Sequence, residues 1–536
     1  MTPTNNIGYI STGQQCEKGL ADKIALRYVD ADLIGVDFTF AQLDAASNQF
    51  ANALMETGIQ PGDRVFLFLP KQPEVFFAFL GTLKATAVAG LLFSNFGKEA
   101  VFDRLADAGA KVLVTKQSLF KRVEELWPDL PSLEKVILTD LPAHESGRIL
   151  SYAQLVGQQS VEFEIPATQP ETPSVLHYTS GSTGKPKGVL HVHDSIHHQR
   201  LTMEKVMQVE PDDIYWCTAD HAWITGTTYG IIGPWSAGIT QVHFGGKFET
   251  EAWFDLLQQE RVTLWYTAPT ALRMLMREED KINGKYDLPA LKRVYSVGEP
   301  LNPEIVHWAR RVIGREIYDT WFQTETGAIM ITNRPGMAVK PGSMGKPVDG
   351  IECGVFTEEG SPSPVNESGS LRLKKGWSSM FRTYVNMEEA YRSKFHGDFY
   401  DTGDRAQIDQ DGYYWFIGRN DDVINTSGHL IGPFEVESAL LEMEDIVDVA
   451  VIGAPDEMLY EKIVAFVTLK DGQEWTKRLE VKARIHVTKR ISPIAVPSEF
   501  IVIQKIPKNR SGKIMRRVLK ARYLGEDAGD ISTLED

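Results

Sequence analysis

The sequence predicts an α/β protein, with a large amino-terminal domain of open α/β sheets and a small α+β domain behind it. Three observations carry that expectation. Short β-branched and aromatic runs alternate with helical patterns over most of the chain, which is the mark of parallel strands joined by helices. The pattern changes after a polar, turn-prone segment at 418–422. No internal repeat shows at any fixed period, which sets solenoid architectures aside.

The elements follow in order. Pro61, Gly62 and Asp63 form a turn into a strand at 64–69, and an amphipathic stretch begins at Glu74. The most apolar region, 75–93, is interrupted by Lys84 and is rich in glycine and alanine. It reads as a buried helix running into a strand rather than a membrane span. Strand signatures recur at 111–114, 135–138 and 262–266, the last before a helix at 271–276. Beyond 422 the order is a helix at 434–443, strands at 447–452 and 463–469, a helix at 479–488 and a strand at 500–506.

With 536 residues, the chain is long enough for about three to four domain-sized units. Hydrophobic residues at 43% and charged residues at 24% exclude disorder as the dominant state. A formal charge of −16 argues against nucleic acid or anionic membranes as partners. It leaves room for a local basic cleft. Cys16, Cys217 and Cys353 are far apart and show no C-x-x-C spacing, so neither a disulfide framework nor a zinc knuckle is expected. No basic segment followed by an apolar stretch opens the chain, and a cytoplasmic location is expected.

The most informative run is YTSGSTGKPKG at 178–188, which follows the strand-like 175–177. Glycines let consecutive backbone N–H groups turn toward one anion, hydroxyls add donors, and lysines add charge. Thr179, Ser180, Gly181, Ser182, Thr183, Gly184 and Lys187 are therefore candidate phosphate contacts. A plain surface loop is the ordinary alternative, but two lysines within a few residues weigh against it. Pro186 follows Lys185 and the Gly-Lys-[Ser/Thr] ending is absent, so this is not a Walker A loop.

Together with YDTWFQTETG at 318–327, YDTGD at 400–404 and RSGKIMRR at 510–517, that run resembles the adenylate-forming superfamily, and most of all its AMP-forming acetyl-CoA synthetases. The resemblance implies a β-barrel-like part within the large domain, a small domain that is mobile, and ATP, Mg²⁺ and coenzyme A as cofactors. It implies domains at 1–418 and 422–536 with a hinge at 419–421 that contains Asp421. Gly298, Glu299 and Pro300 would lie against adenine and ribose, beyond the end of a strand where α/β sheets bind ligands. Asp319, Thr320, Trp321, Phe322, Gln323 and Thr324 would contact the adenylate, with Thr324 at the α-phosphate. Glu325 would serve Mg²⁺, a cation that takes hard oxygen ligands. Asp404 would accept from both ribose hydroxyls, and Arg419 would reach the ribose or the phosphate.

Lys513 is the expected catalytic residue. A carboxylate attacking the α-phosphorus of ATP meets another anion, and an ammonium between them lowers the repulsion and stabilises the charge that develops. By itself the segment around Lys513 reads as a basic, solvated tail, with Arg516 and Arg517 as part of it. The resemblance further implies that the small domain rotates to admit coenzyme A, with Ser427 and Gly428 on its second face and Thr225 at the tunnel end. Acylation would remove the charge of Lys513, which makes it a candidate target for a lysine acetyltransferase and deacetylase.

Ile224, Thr225, Val297 and Phe322 fall where acetyl-CoA synthetases wall the acyl pocket. All are β-branched or aromatic and fill space with few rotamers, so a short acid is expected, acetate first. A second tryptophan stands in long acetyl-CoA synthetases where this chain has Phe322, which keeps propionate open. Two departures concern phosphate contacts. Leu430 replaces the usual arginine, and Thr488, Lys489 and Arg490 stand near the basic anchor for the coenzyme A 3′-phosphate. The competing readings are a propionate or branched-acid ligase, an adenylation module loading a carrier protein, and a nucleotide sensor.

Overall fold

Two nine-stranded sheets hold most of the chain, and the reason lies in runs that are apolar on both faces. Strands such as Val88–Leu92 and Val112–Thr115 are buried along their whole length, as parallel strands covered by helices on both sides must be. The structure, a computed structural model, describes residues 5–142, 145–180, 186–427, 429–456, 458–509, 513–528, 531 and 534.

In one sheet Arg64–Phe68 lies between Val88–Leu92 and Val112–Thr115, all parallel, with Lys135–Leu138 beyond. Val88–Leu92 also pairs parallel with Pro173–Ser180, which pairs antiparallel with Pro186–Val192. The other sheet places Ile214–Cys217, Leu264–Thr267, Arg293–Val297 and Ile317–Trp321 side by side and parallel. Its outer strands are antiparallel. A third, five-stranded antiparallel sheet forms the small all-β part, from Cys353–Phe356 to Tyr414–Arg419. The small carboxy-terminal domain has its own five-stranded sheet, with Pro433–Leu441 and Lys477–Arg490 packed on it.

The apolar 75–93 stretch is a helix, Pro73–Lys84, followed by the strand Val88–Leu92. Val75, Phe76, Phe79, Leu80 and Leu83 are all buried, each worth roughly 1.5–3 kcal/mol on removal from water. Lys84 is buried with them because its ammonium donates to Asp44 Oδ1 and Asn48 Oδ1, both at 2.7 Å, and a buried charge requires such partners. Among the described residues no helix is long and apolar enough to cross a membrane.

The structure departs from expectation at three points. The strand begun at 500 is Glu499–Val502 and does not run to 506. Ile503 N still donates to Val467 O, and Pro507, which has no N–H to give, follows soon after. The parts of the run at 178–188 that the structure describes, 178–180 and 186–188, are paired antiparallel strands rather than loop, with Pro186 opposite Ser180. Gly418 and Arg419 complete the strand Tyr414–Arg419 instead of opening a turn, which starts at Asn420.

Candidate active site

Parallel strands bring the carboxyl ends of Arg293–Val297 and Ile317–Trp321 to one edge, with Ser296 beside Asp319 and Val297 beside Thr320. Ser296 Oγ donates to Asp319 Oδ1 at 2.5 Å, Thr320 Oγ1 donates to Ser296 O at 2.7 Å, and Tyr266 Oη lies 2.7 Å from Thr320 Oγ1. Burial pushes the Asp319 carboxyl up to about 7 against these hydrogen bonds. Gly298 follows with a left-handed φ of 89°, which turns the chain off the sheet edge at no steric cost. Glu299 accepts from Thr270 Oγ1 at 2.7 Å. Desolvation raises its pKa, while Arg273 and Lys508 oppose the shift.

Beyond Trp321 the chain folds onto the third sheet. Trp321 Nε1 and Gln323 Nε2 donate to Asp404 Oδ2 at 3.2 and 2.9 Å, and Tyr400 Oη donates to Gln323 Oε1 at 3.0 Å. Burial pushes the Asp404 carboxyl up, and Arg419 and Lys513 pull it back. Desolvation weakens the Arg419 cation, but Asp404, Asp421 and Glu325 outweigh it and hold its pKa above the usual value. Asp421 Oδ1 is 3.7 Å from Arg419 Nε.

The hairpin reaches this edge through its second strand. His191 Nε2 is 2.8 Å from the Thr324 carbonyl oxygen. That oxygen only accepts, so the proton is on Nε2, and burial keeps the ring neutral with a pKa of about 4. Tyr384 Oη donates to Glu325 Oε1 at 2.7 Å, and Lys187 Nζ lies 5.5 Å from the Tyr384 ring centre. Desolvation and then Lys394 lower the pKa of Lys187, with Glu325 opposing. Thr179 and the backbone of Ser180 pair with this strand, whereas Gly181, Ser182, Thr183 and Gly184 lie outside the described residues. Among those described, no three or more His, Cys, Asp or Glu side chains cluster to hold a metal. Magnesium at nucleotide sites takes one or two carboxylates and otherwise phosphate oxygens and water. Glu325, bonded from Tyr384 at Oε1 alone among the described residues, fits that donor set.

Val297 and Phe322 meet around Tyr229 in one apolar cluster, with the Phe322 and Tyr229 rings edge to face at 5.4 Å. Ile224 and Thr225 open the helix Ile224–Thr227, which runs directly into the π-helical turn Thr228–Ile232 that carries Tyr229. Gly226 in that helix is irreplaceable, because a β-carbon there would lie 2.0 Å from the Asp220 carbonyl oxygen.

On the small domain, Asn509 brackets the loop before Lys513. Its N–H donates to Lys513 O at 2.8 Å, and its Oδ1 accepts from Lys513 N at 2.9 Å. Lys513 is exposed, yet it lies in the field of Asp404 and Arg419. Desolvation and then Arg419 lower its pKa, with Asp404 and Asp422 opposing. The solvated-tail reading fails for Arg516. Its Nη2 donates to both carboxylate oxygens of buried Glu437 at 2.6 Å, and its Nε donates to Val451 O. Ser427 has a left-handed φ of 52° and donates its N–H to Leu459 O, and no hydrogen bond or ion pair among the described residues joins it to Lys513 or Asp404. Gly428 lies outside the described residues. Leu430 is exposed on the hairpin strand His429–Ile431. Arg490 is engaged by Glu442, while Lys489 is exposed.

Sequence reasoning missed Tyr229, Tyr384 and His191, and gave Tyr400 no role although it opens the YDTGD run. The first three act through partners at least 59 positions away, and no local pattern marks them.

Comparison with known proteins adds to this geometry. The profile of the AMP-binding enzyme family matches residues 14–385, and that of the AMP-binding enzyme C-terminal domain matches 435–513. An acetyl-coenzyme A synthetase of Bacillus subtilis is 45% identical over 533 residues, covering 99% of this chain and 93% of that protein. An acetyl-coenzyme A synthetase of Deinococcus radiodurans is 40% identical over 99% of this chain and 85% of its own. Among solved structures, an anthranilate CoA ligase in complex with anthranoyl-AMP superposes with a TM-score of 0.88 at 29% identity, covering 97% of each chain.

Proposed function

The chain belongs to the AMP-binding enzyme family, and from that premise we propose that it is an AMP-forming acetate–CoA ligase. It joins acetate to ATP as acetyl-adenylate with release of pyrophosphate, then passes the acetyl group to the thiol of coenzyme A with release of AMP. The similarity to acetyl-coenzyme A synthetases along nearly the whole chain supports the reaction. The observation that carries the choice of acid is the aromatic floor, where Phe322 stands edge-on to Tyr229.

In this reading Asp404 holds the ribose and Arg419 neutralises it while reaching toward phosphate. Thr324, steadied by His191 on its carbonyl, meets the α-phosphate. Lys187, with Thr179, Ser180, Gly181, Ser182, Thr183 and Gly184, grips the outer phosphates. Glu325, oriented by Tyr384, would hold Mg²⁺, which when bound offsets phosphate charge. Lys513 enters from the small domain between acetate and the α-phosphate, where its charge lowers the repulsion of two anions and stabilises the oxygens as the bond forms. Val297, Ile224, Thr225 and Phe322 exclude water and longer acids from behind the carboxylate.

The second half-reaction needs a different wall. Domains at 1–418 and 422–536, hinged at 419–421 with Asp421, would let Lys513 leave and bring Ser427 and Gly428 opposite Thr225 for the pantetheine arm. The enzyme would work in the cytoplasm, and acetylation and deacetylation of Lys513 would switch it off and on by removing and restoring the charge.

Coenzyme A-dependent release of AMP, measured across straight-chain acids from acetate to octanoate, tests the reading. Acetate should be best, propionate detectable and butyrate poor. A preference for butyrate or longer acids would overturn the acetate assignment and leave the ligase chemistry standing.

A further inference from the structure

One cation beside the site has no part in the chemistry above. A cleft of about 320 Å³ is lined by Lys394, His396, Asp401, Gly403, Arg419 and Asp421, among others. Gly403 has a left-handed φ of 72°, and a β-carbon there would sit 3.4 Å from Arg419 Nη2 and 3.6 Å from Lys394 Nζ. Two side-chain cations therefore converge on one face of Gly403, next to Asp404.

The other charges of this cleft are committed. Arg419 faces Asp404 at 3.4 Å and Asp421 at 3.7 Å. Asp401 is shared by Arg372 at 3.3 Å and His396 at 3.6 Å. Among the described residues Lys394 Nζ makes no ion pair, although the backbone on both sides of it is fixed. Lys394 N donates to Tyr391 O, and Asp401 N donates to Lys394 O. The charge of Lys394 reaches the phosphate hairpin, where after desolvation it is the largest influence lowering Lys187. Like charges held close together repel unless an anion joins them. Lys394 and Arg419 thus converge beside Asp404, and the charges of Lys394, Arg419 and Glu325 all act on Lys187.

We propose that Lys394 binds the β- and γ-phosphates of ATP and the pyrophosphate they become. This rests on the ligase reading and adds a phosphate-binding residue to it. Half-buried on a fixed backbone, the ammonium gives a charge-assisted contact that AMP, having no outer phosphates, does not engage.

The test uses full-length Lys394→Gln and Lys394→Arg. Acetate-dependent pyrophosphate exchange reads the half-reaction in which outer phosphates take part. Release of coenzyme A from acetyl-CoA and AMP reads the half-reaction in which they do not. Lys394→Gln should raise KM for ATP and for pyrophosphate on the order of 10-fold, leave KM for AMP unchanged, and be largely rescued by Lys394→Arg. Equal losses in both half-reactions would make Lys394 structural, and an unchanged exchange reaction would remove it from the site. A loss confined to coenzyme A that disappears with dephospho-coenzyme A would assign its anion to the 3′-phosphate instead; each of these overturns the proposal while the ligase reading stands. Wild-type protein with no acetate-dependent exchange would sink both.

Discussion

Asp404 and Arg419 are direct cross-strand neighbours on the antiparallel strands Phe399–Ile408 and Tyr414–Arg419, with Arg419 Nη1 3.4 Å from Asp404 Oδ1. The same carboxylate takes Trp321 and Gln323 on its other oxygen. One buried group therefore joins the strand ends of the large sheet to the last strand before the small domain.

Asp404→Asn keeps the shape but presents an amide hydrogen to donors that need an acceptor. Hydrogen bonds to charged groups contribute about 1.5–3 kcal/mol, so KM for ATP should rise roughly 10- to 100-fold. Steady-state kinetics in ATP check this, and an unaltered KM would exclude Asp404 from nucleotide binding.

Lys513→Ala should reduce acetate-dependent pyrophosphate exchange by about 10²-fold or more, the scale for removing one preorganised charge from a transition state. Thioester formation from presynthesised acetyl-adenylate should survive. Comparable losses in both assays would show that Lys513 supports the fold rather than the chemistry.

Phe322→Gly removes the ring that packs on Tyr229. Each methylene admitted to an apolar pocket changes discrimination by roughly 1–3 kcal/mol, or ~10- to 200-fold. kcat/KM should rise for butyrate and valerate and fall for acetate, which loses its alignment in a wetted cavity. An unchanged acid profile would take Phe322 out of the pocket.

Asp319→Asn should reveal the raised carboxyl. The folded-state pKa of about 7 stands above an ordinary aspartate's 3.8, so the folded chain holds this proton more tightly than the unfolded one. Its stabilising share is full below pH 3.8 and is lost as pH rises to 7. The stability of wild type relative to Asp319→Asn should therefore fall across that window, by a few kcal/mol and about 4 at most. Urea unfolding at several pH values measures it. A difference that does not vary with pH would mean that Asp319 is ionised throughout.

Elements with local signals were legible in the sequence. The strands Val112–Thr115 and Lys135–Leu138 stand where their β-branched runs put them, and Pro433–Leu441 and Lys477–Arg490 follow their helical spacing. The resemblance implied one site for Asp404, Arg419 and Lys513, and each lies in the field of the others. Long-range pairing was illegible. Arg516 and Arg517 are adjacent and read alike, but only the tertiary fold sets Glu437 against Arg516. Lys394 sits in no motif, and its importance appears only when Gly403 and Arg419 are seen around it. Tyr384 meets Glu325 because a short strand, Thr383–Tyr384, adds to the hairpin edge, a pairing of two residues that leaves no periodicity to read.

In the proposed reaction the Arg516–Glu437 clasp would also act on timing. Lys513 lies only three positions from that anchor, and three residues of chain reach about 10 Å at full stretch. In the proposed rotation of the small domain the ammonium would be carried with it and could not linger on the nucleotide. The clasp works like the pallet of an escapement: the first tooth must be released before the second is caught. In that reading the two half-reactions would be kept from overlapping by the shortness of a tether rather than by any signal between them.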